Sequence, residues 1–353
     1  MTTANNKSDY KLTLSKVEGC FKEIIGMEQE KTELIRSVMS GFNGGELVSP
    51  LLLAEAGKGK SRLLKAYGEA LEIIGLTVLF FQPIDVRKSG EEMWAQMLNI
   101  ICEQRQNYAL LIDEGHELFQ TGATVQLQKI AVLVNKALDG NFKGGTIRLG
   151  DNIIAEFNRQ NCVIALATNF PGRIPKAIAS RAMTMVLPDY TKKDLQHILQ
   201  GMAKRAGLSI TANAAKIVAN CGRGTARPME QIVRQLGIQL NSAEKVRSDV
   251  KEEDVLEALR SLQMFPRGLT VGEMRILQQL ATNPATDRQI TAMFPGSDAA
   301  TLRASRAYLS LNTENKDGEL TDSPFLGFGK GGYVTTEKGK RFLKTCKEAG
   351  FSW

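Results

Sequence analysis

The chain has 353 residues, of which 43% are hydrophobic and 24% charged, and these values predict a packed globular protein of two or three domains. No apolar run approaches the length of a membrane span, and the polar N-terminal segment lacks the apolar stretch of a secretory signal. Five scattered cysteines and two histidines argue against a zinc site and favour a reducing, cytoplasmic location, while the net charge of +7 permits nucleic-acid contact without demonstrating it.

The polar segment at residues 1–18 predicts a flexible tail, and the first functional signature follows at Leu51. There an apolar strand runs into the turn Ala54-Glu-Ala-Gly-Lys-Gly-Lys-Ser61, and an amphipathic helix follows. A strand, a glycine loop ending in Lys-Ser and a helix are typical of the phosphate-binding loop of nucleoside triphosphatases. Glycines let main-chain N–H groups close around phosphate, and the helix N-terminus favours the same anion. The alternative is a plain strand-to-helix turn with one solvated lysine.

Each residue of this loop has an expected role. Lys60 would reach the outer phosphates of the nucleotide, and Ser61 would hold Mg²⁺. The other residues expected to bind the nucleotide are Gly57, Lys58, Gly59 and Arg62. Two positions depart from the usual pattern. Ala54 replaces the opening glycine, where a positive φ would be strained, and Glu55 would repel phosphate unless it points outward.

A second site lies downstream. Residues Tyr108–Ile112 form a short, continuous apolar run, typical of a central parallel strand covered on both faces. This strand delivers Asp113 and Glu114 at its C-terminal end, where open α/β sheets place their ligands. We predict that Asp113 holds Mg²⁺ through water and that Glu114 orients and activates the attacking water. The alternative is that two acids after a strand merely cap the next turn.

Strands and helices alternate through the rest of the first half, which predicts a parallel α/β domain over residues 19–187. The predicted strands cover residues 76–81, 162–167 and 183–187, and the predicted helices cover 90–103 and 127–138. Glycines and alternating side chains at residues 139–151 predict a hairpin that projects from this domain.

The pattern changes after Pro188. A linker at residues 188–191 leads into a lid domain, 188–263, that is predicted to contain helices only. A third domain, 264–353, opens with the break Phe265-Pro-Arg-Gly-Leu269. Its predicted elements are helices at 271–280, 287–293 and 299–309, a glycine-turned hairpin at 324–335 and a helix at 337–347. This order predicts a winged helix, and the alternative is an unspecific helical cap.

The winged helix also carries the predicted DNA surface. Arg303 and Arg306 lie three residues apart on one helix, so we expect them to share a face that meets phosphates or base edges. Lys330 at the hairpin tip and Lys338 behind it are expected to contact the DNA backbone. Acidic residues lie close by, so the alternative is a solvated charged face.

These motifs together resemble the AAA+ ATPases and, within them, the bacterial RuvB motors of Holliday-junction branch migration. The resemblance extends from about Phe21 to the last helix. It is carried by Phe21–Glu30, Asp113-Glu-Gly-His116, Thr146-Ile-Arg-Leu149, Cys162–Asn169, Gly224-Thr-Ala-Arg-Pro228 and Tyr333–Lys338. Each piece is short, but their order and spacing together are specific.

The resemblance implies roles for further residues. Phe21–Glu30, which includes Ile25, would pack near the adenine. Asn169 would be the first sensor, close to the γ-phosphate or the attacking water. Arg181 would be the arginine finger that enters the neighbouring subunit's site. Arg227 would contact the γ-phosphate from the lid. The alternatives are a turn-forming asparagine, a solvated arginine and a structural ion pair.

The sequence therefore predicts an oligomeric motor that uses ATP and Mg²⁺ to move on duplex or branched DNA. The resemblance implies a hexameric ring, and it leaves open a junction-recognition partner docked on the hairpin at residues 140–151. One alternative is an ATP-switched DNA-binding platform (an initiator, loader or transposition helper) that does not translocate. Another is a non-hydrolysing scaffold, motivated by Ala54 and Glu55.

Overall fold

The structure is a computed structural model that describes the chain in two compact units. The first unit contains Met1–Asp194 and Gly224–Ala226, and the second contains Leu195–Arg223 and Arg227–Trp353. The residues described are 7–83, 107–120, 122–123, 125–138, 144–148, 154–158, 162–242, 248–295, 297–310, 313–314, 320–322, 324–329 and 331–353. The helix predicted at residues 90–103 lies outside these ranges.

The first unit alternates helices and strands. Its described elements are α1 (Lys7–Phe21), α2 (Glu28–Phe42), β1 (Pro50–Leu53), α3 (Lys60–Ile73), β2 (Thr77–Phe81), β3 (Tyr108–Ile112), α4 (Val125–Leu138), β4 (Gly144–Arg148), β5 (Ile154–Asn158), β6 (Cys162–Thr168), α5 (Lys176–Ala179) and β7 (Met183–Val186). A further helix, α6 (Lys192–Arg205), begins here and continues into the second unit.

Five of these strands form one parallel sheet in the order β2-β3-β6-β1-β7. Every side chain of β3 is buried, as expected for a central strand with helices on both faces. In the sheet register, Ile112 lies beside Leu166 and Leu53 beside Thr168. The carboxyl ends of β1, β3 and β6 therefore meet at one edge, and the predicted parallel α/β domain is confirmed.

Alternate residues of β3 enter separate hydrophobic cores on the two faces of the sheet. Leu110 and Ile112 face the core that α4 covers, whereas Ala109 and Leu111 face the core that α1, α2 and α3 cover. α3 presents its apolar side to the second core because its buried residues recur at helical spacing. These residues are Leu63, Leu64, Tyr67, Ala70 and Leu71.

The prediction of a flexible N-terminal tail is wrong from Lys7 onward. α1 packs against α3 and buries Val17 and Phe21 almost completely. Leu14, Val17 and Phe21 repeat at three- and four-residue spacing, but the many polar residues between them hid this pattern. The first unit therefore begins well before residue 19.

The predicted hairpin is present and lies further along the chain than expected. β4 and β5 pair antiparallel, from Gly144 opposite Asn158 to Arg148 opposite Ile154. The second strand therefore falls beyond residue 151, and Gly144 and Gly145 lie within the first strand.

The second unit contains helices with short strands between them. After α6, its described elements are β8 (Ser209–Ile210), α7 (Ala212–Asn220), α8 (Arg227–Ser242), β9 (Asp249–Val250), α9 (Glu252–Ser261), α10 (Val271–Thr282), α11 (Asp287–Met293), α12 (Ala299–Ser310), β10 (Thr313–Glu314), β11 (Leu320–Asp322), β12 (Leu326–Gly329), β13 (Gly332–Thr335) and α13 (Glu337–Glu348). The prediction of helices only up to residue 263 missed the parallel pair of β8 and β9, since two-residue strands show no alternation.

The C-terminal part of this unit has the element order of a winged helix. α10, α11 and α12 precede the antiparallel hairpin of β12 and β13, and α13 follows it. Ala285 pairs with Tyr333 through two main-chain hydrogen bonds and adds a third, one-residue strand to the hairpin. Gly332 adopts φ +122°, and a Cβ there would lie 2.3 Å from the Ala285 carbonyl oxygen, so only glycine fits this junction. Within the described residues, no helix is both long and apolar enough to cross a membrane.

Candidate functional site

The phosphate-type loop connects β1 to α3. Gly57 and Gly59 adopt φ +84° and +80°, and Gly59 is the residue that caps the N-terminus of α3. A Cβ on Gly59 would lie 2.3 Å from the Tyr190 hydroxyl oxygen, so the close approach of Tyr190 also requires glycine. The predicted order of strand, glycine loop and helix is confirmed.

Lys60 closes over this loop from the first turn of α3. Its side chain is buried, with 6% of the residue exposed. The ammonium donates hydrogen bonds to the main-chain oxygens of Ala54 (2.7 Å) and Glu55 (2.8 Å). The ammonium is thus held across the opening of the loop. An outer phosphate bound there would compete with the two carbonyl oxygens for the ammonium hydrogen bonds. Ser61 and Arg62, the next residues of α3, are exposed.

The two unusual residues of the loop do not obstruct it. Ala54 is not among the residues with positive φ, so the expected strain is absent there. The Glu55 side chain is 80% exposed, and its carboxylate lies 3.7 Å from the Lys58 ammonium. Lys58 is mostly buried and pairs with Asp189 at 2.5 Å. The Glu55 carboxylate therefore points outward. Lys58, which was predicted to bind the nucleotide, is engaged in an ion pair with Asp189.

Asp113 and Glu114 follow β3 at the same edge of the sheet. Asp113 is 2% exposed, and its carboxylate accepts hydrogen bonds from the Glu114 N–H (3.0 Å) and the Gln82 side-chain amide (3.3 Å). Glu114 adopts φ +53°, an uncommon conformation for a side chain of this size. Gln82 was missed in the sequence, although a polar residue directly after β2 is a signal for this edge.

His116 lies behind Glu114 and connects it with the end of β6. Its Nδ1 lies 3.1 Å from the Thr168 hydroxyl and 3.5 Å from the Glu114 carboxylate. Burial lowers the pKa of His116 below its ordinary value of 6.5, and Arg173 and Lys60 lower it further, against the opposing effect of Glu117. The imidazole is therefore neutral near pH 7.

Asn169 directly follows Thr168, the last residue of β6. Its side-chain oxygen is buried and has no hydrogen-bond partner among the described residues. A buried amide oxygen without a partner is unfavourable, so it indicates a position that a ligand or water completes. Thr168, the residue before it, also accepts the Phe170 N–H at 3.0 Å, which holds the turn that follows the strand.

The remaining nucleotide-site candidates differ in exposure. Ile25 is partly buried in the turn before α2. Arg181 follows α5 and is exposed, whereas the guanidinium of Arg173, eight residues earlier, lies 4.5 Å from the centre of the Phe170 ring. Arg227 belongs to the second unit, where it begins α8 and is exposed.

The predicted DNA surface needs one correction. Arg306 is only 4% exposed, because its guanidinium turns inward to Asp287 at 2.7 Å and lies 5.7 Å from the Tyr333 ring. Arg303, three residues earlier, is exposed, so the two arginines do not share a solvent face. Lys338 is partly exposed beside the Phe325 ring. Lys330 lies outside the described residues.

The hairpin of β12 and β13, which we call the wing, carries an exposed aromatic residue that was not predicted as part of the DNA surface. Phe328 is 78% exposed on β12, and its ring meets Tyr333 edge to face, with the ring centres 5.2 Å apart. The sequence signal was a phenylalanine between two glycines of a predicted hairpin.

The residues at the sheet edge fit a magnesium nucleotide. Asp113 and Ser61 carry the kinds of oxygen ligand that Mg²⁺ prefers, and phosphates would complete its coordination. Among the described residues, no group of three or more His, Cys, Asp or Glu side chains could hold a metal without such a ligand.

Comparison with known proteins finds RuvB subunits among the relatives of this chain. No protein-family profile matches the chain. The RuvB subunit of the Holliday junction branch migration complex from Thermotoga petrophila is 25% identical over 334 residues, which are 91% of this chain and 90% of the relative. The corresponding subunit from Parasynechococcus marenigrum is 23% identical over 261 residues, covering 73% of this chain and 70% of the relative.

Solved structures agree with these relatives. The Thermotoga maritima RuvB Holliday junction branch migration motor matches 91% of this chain and 96% of its own, with a TM-score of 0.57 and 22% identity. A point mutant of the Thermotoga maritima protein matches 92% of this chain and 97% of its own, with a TM-score of 0.59 and 23% identity. In sequence and fold, the chain is therefore a RuvB-like AAA+ ATPase.

Proposed function

We propose that this protein is an ATP-dependent DNA motor that works as an oligomer on branched DNA. One observation carries the proposal: the glycine loop with Lys60, the carboxylates Asp113 and Glu114, and Asn169, whose side-chain oxygen has no partner among the described residues, follow strands whose carboxyl ends meet at one edge of a parallel sheet. They do so in a chain that is similar to RuvB over nine-tenths of its length.

The chain's own residues divide the nucleotide site into two tasks. The loop from Gly57 to Gly59 and the start of α3 bind the phosphates through main-chain N–H groups, and Lys60 exchanges its carbonyl partners for phosphate oxygens. Ser61 and Asp113 hold Mg²⁺, which when bound neutralises charge on the transferred phosphate.

Hydrolysis falls to residues at the carboxyl ends of β3 and β6. Glu114 orients the attacking water and accepts its proton, and the Asn169 side chain positions the water or the γ-phosphate. The outward-pointing Glu55 and the unstrained Ala54 support an active site in preference to a non-hydrolysing scaffold.

The oligomer is proposed because of the role that we assign to Arg181, which is exposed, as is Arg227. Arg181 serves as the finger for the neighbouring subunit's nucleotide, and Arg227 contacts the γ-phosphate from the lid. A finger supplied by a neighbouring subunit acts only in a ring or filament, and we propose a hexameric ring. The β4–β5 hairpin is the proposed dock for a junction-recognition partner.

The winged helix is the proposed DNA-binding part. Arg303 and Lys338 contact phosphates. Lys330 is proposed as a third contact on the basis of the sequence alone. These contacts are sequence-independent and weaken steeply with salt. Arg306 is not part of this surface because its guanidinium is buried.

Turnover of ATP with and without a four-way junction tests the proposal in the wild type, Glu114→Gln and Arg181→Ala proteins. We expect junction-stimulated hydrolysis and branch migration in the wild type and the loss of about 100-fold or more of turnover in each variant. Arg205→Ala, which removes an exposed arginine of α6, is the matched control and should keep wild-type turnover.

Mixing the two inactive variants tests the finger between subunits. A site needs Glu114 from one chain and Arg181 from its neighbour, so random mixing should restore about one quarter of the sites in a closed ring. No recovery on mixing would contradict the finger assignment. Stable ATP-dependent DNA complexes without strand movement would instead favour the switched platform.

A further inference from the structure

Three residues of the first unit interrupt the second unit along the chain. Gly224–Ala226, which we call the crossover segment, belongs to the first unit, whereas Arg223 before it and Arg227 after it belong to the second. The crossover segment is therefore covalently continuous with both units, and its contacts on each side can be considered separately.

Inside the first unit, the crossover segment is bonded to the phosphate-type loop. The Ala226 N–H donates to the Gly57 oxygen at 3.0 Å, and the Gly224 oxygen accepts the Tyr190 N–H at 3.1 Å. Gly224 adopts φ +78°, and a Cβ there would lie 3.2 Å from the carboxyl carbon of Asp189. Main-chain bonds thus attach this segment to the loop that would hold the nucleotide phosphates.

Inside the second unit, Arg223 is bonded to the winged helix. Its guanidinium donates to the Glu273 carboxylate at 3.0 Å and to the Gly268 oxygen at 3.3 Å. The same group lies over Tyr308 of α12, with its central carbon 3.4 Å from the centre of the ring. One side chain therefore contacts both α10 and α12.

The chemistry of this contact requires arginine. Glu273 is 2% exposed, and it also accepts the Thr270 N–H that begins α10, so its buried charge is tied to the start of that helix. A planar guanidinium can pair with a carboxylate and stack on a ring at the same time, whereas an ammonium cannot do both. Arg223 holds these contacts in a left-handed conformation, φ +50°, that is unfavourable for a side chain with a Cβ.

We propose that Arg223 is the residue that couples the nucleotide site to the DNA-binding winged helix. Its side chain clamps α10 and α12, and its main chain continues directly into the segment bonded to Gly57. A change in the loop on phosphate binding moves the crossover segment and, through Arg223, shifts the winged helix between two arrangements. By linkage, DNA on the winged helix changes nucleotide affinity by the same factor. This inference rests on the proposed nucleotide and DNA binding.

The coupling factor is the measurement that tests this role. The dissociation constant of AMP-PNP with Mg²⁺ is determined by calorimetry, with and without a saturating duplex of about 30 base pairs, and the ratio is the factor. We expect at least about fivefold in the wild type and a value near one in Arg223→Ala. Each ligand alone should bind the variant within about twofold of wild type, since Arg223 touches neither proposed site.

Further variants separate coupling from simple stability. Tyr308→Leu keeps the ion pair with Glu273 and removes the stacking ring, so its factor should lie between those of the wild type and Arg223→Ala. Arg223→Lys should behave in the same way, because it keeps the charge and loses the fork. Arg205→Ala should keep the full factor. If Arg223 had a structural role only, its replacement would lower the melting temperature. The coupling factor of the folded variant at room temperature would then equal that of the wild type.

The outcomes that overturn the inference are distinct from failure of the proposed function. A factor near one in a wild type that binds both ligands refutes the coupling and leaves ATP and DNA binding standing. A full factor in Arg223→Ala, or in Tyr308→Leu if Arg223→Ala does not fold, refutes the role of Arg223. A wild type that binds neither ligand refutes the proposed function itself and this inference with it.

Discussion

Replacing Gly59 with alanine tests whether the loop has the close packing that the structure gives it. The new Cβ would lie 2.3 Å from the Tyr190 hydroxyl oxygen and 3.2 Å from the Met27 methyl carbon, at a residue with φ +80°. The left-handed backbone costs about 1–2 kcal/mol for alanine. Overpacking against Tyr190 adds about 1–3 kcal/mol, because the hydroxyl ends a rigid ring. We therefore expect a total loss of about 2–5 kcal/mol.

Gly75 provides a control for the backbone contribution. It adopts a similar φ of +92°, but a Cβ there would meet nothing within 4 Å. Gly75→Ala should therefore lose only the left-handed penalty, about 1–2 kcal/mol. Tyr190→Phe removes the hydroxyl that would be closest to the new Cβ. In the Tyr190→Phe protein, Gly59→Ala should therefore lower the free energy of unfolding by about as much as Gly75→Ala does. Only a small further loss from the contact with Met27 should remain.

Thermal unfolding without nucleotide is the assay, since it reports on packing alone. For a unit of this size, each 1 kcal/mol lowers the melting temperature by about 2–4 °C. Gly59→Ala should therefore melt clearly below Gly75→Ala, and Tyr190→Phe should close most of that gap. Equal melting temperatures for the two alanine variants, or no rescue by Tyr190→Phe, would refute this account of the loop.

Two further predictions concern the other parts of the site. Because burial lowers the pKa of His116, protonation favours the unfolded state, so the stability contributed by the neutral ring is lost as the pH falls below 6.5. In His116→Gln, the melting temperature should fall less between about pH 7.5 and 5.5 than in the wild type. The same dependence of melting temperature on pH in both proteins would contradict this role of His116. On the wing, Phe328→Ala should weaken duplex binding and leave the salt dependence unchanged, whereas Lys338→Gln should reduce the salt slope by about one. The reverse pattern in a salt titration would exclude the ring from the interface.

The lid and the winged helix fall in one compact unit, and the contacts of Arg223 are among those that join them. Sequence patterns separate them at the break near Phe265, and the structure joins them through Arg223, Glu273 and Tyr308. The guanidinium, the buried carboxylate and the ring come from three separate parts of the chain. No local pattern marks such a contact.

Much of the nucleotide site could be predicted because it depends on local order along the chain. A strand that ends in a glycine loop before Lys60, and a buried strand that ends in Asp113, each carry their own signal in hydrophobic pattern and turn residues. Parallel pairing then brings their carboxyl ends to one edge wherever such strands share a sheet. The element order of the winged helix was predictable for the same reason.

The tertiary structure alone decided which side chains are buried and what they contact. Arg303 and Arg306 are equivalent in the sequence, but packing against Asp287 turned one inward and left the other in solvent. His116 meets Thr168 across 52 positions of the chain, and Arg223 meets Glu273 across 50. Local patterns specify elements because their forces act between near neighbours, whereas partners this distant are chosen only when the elements pack.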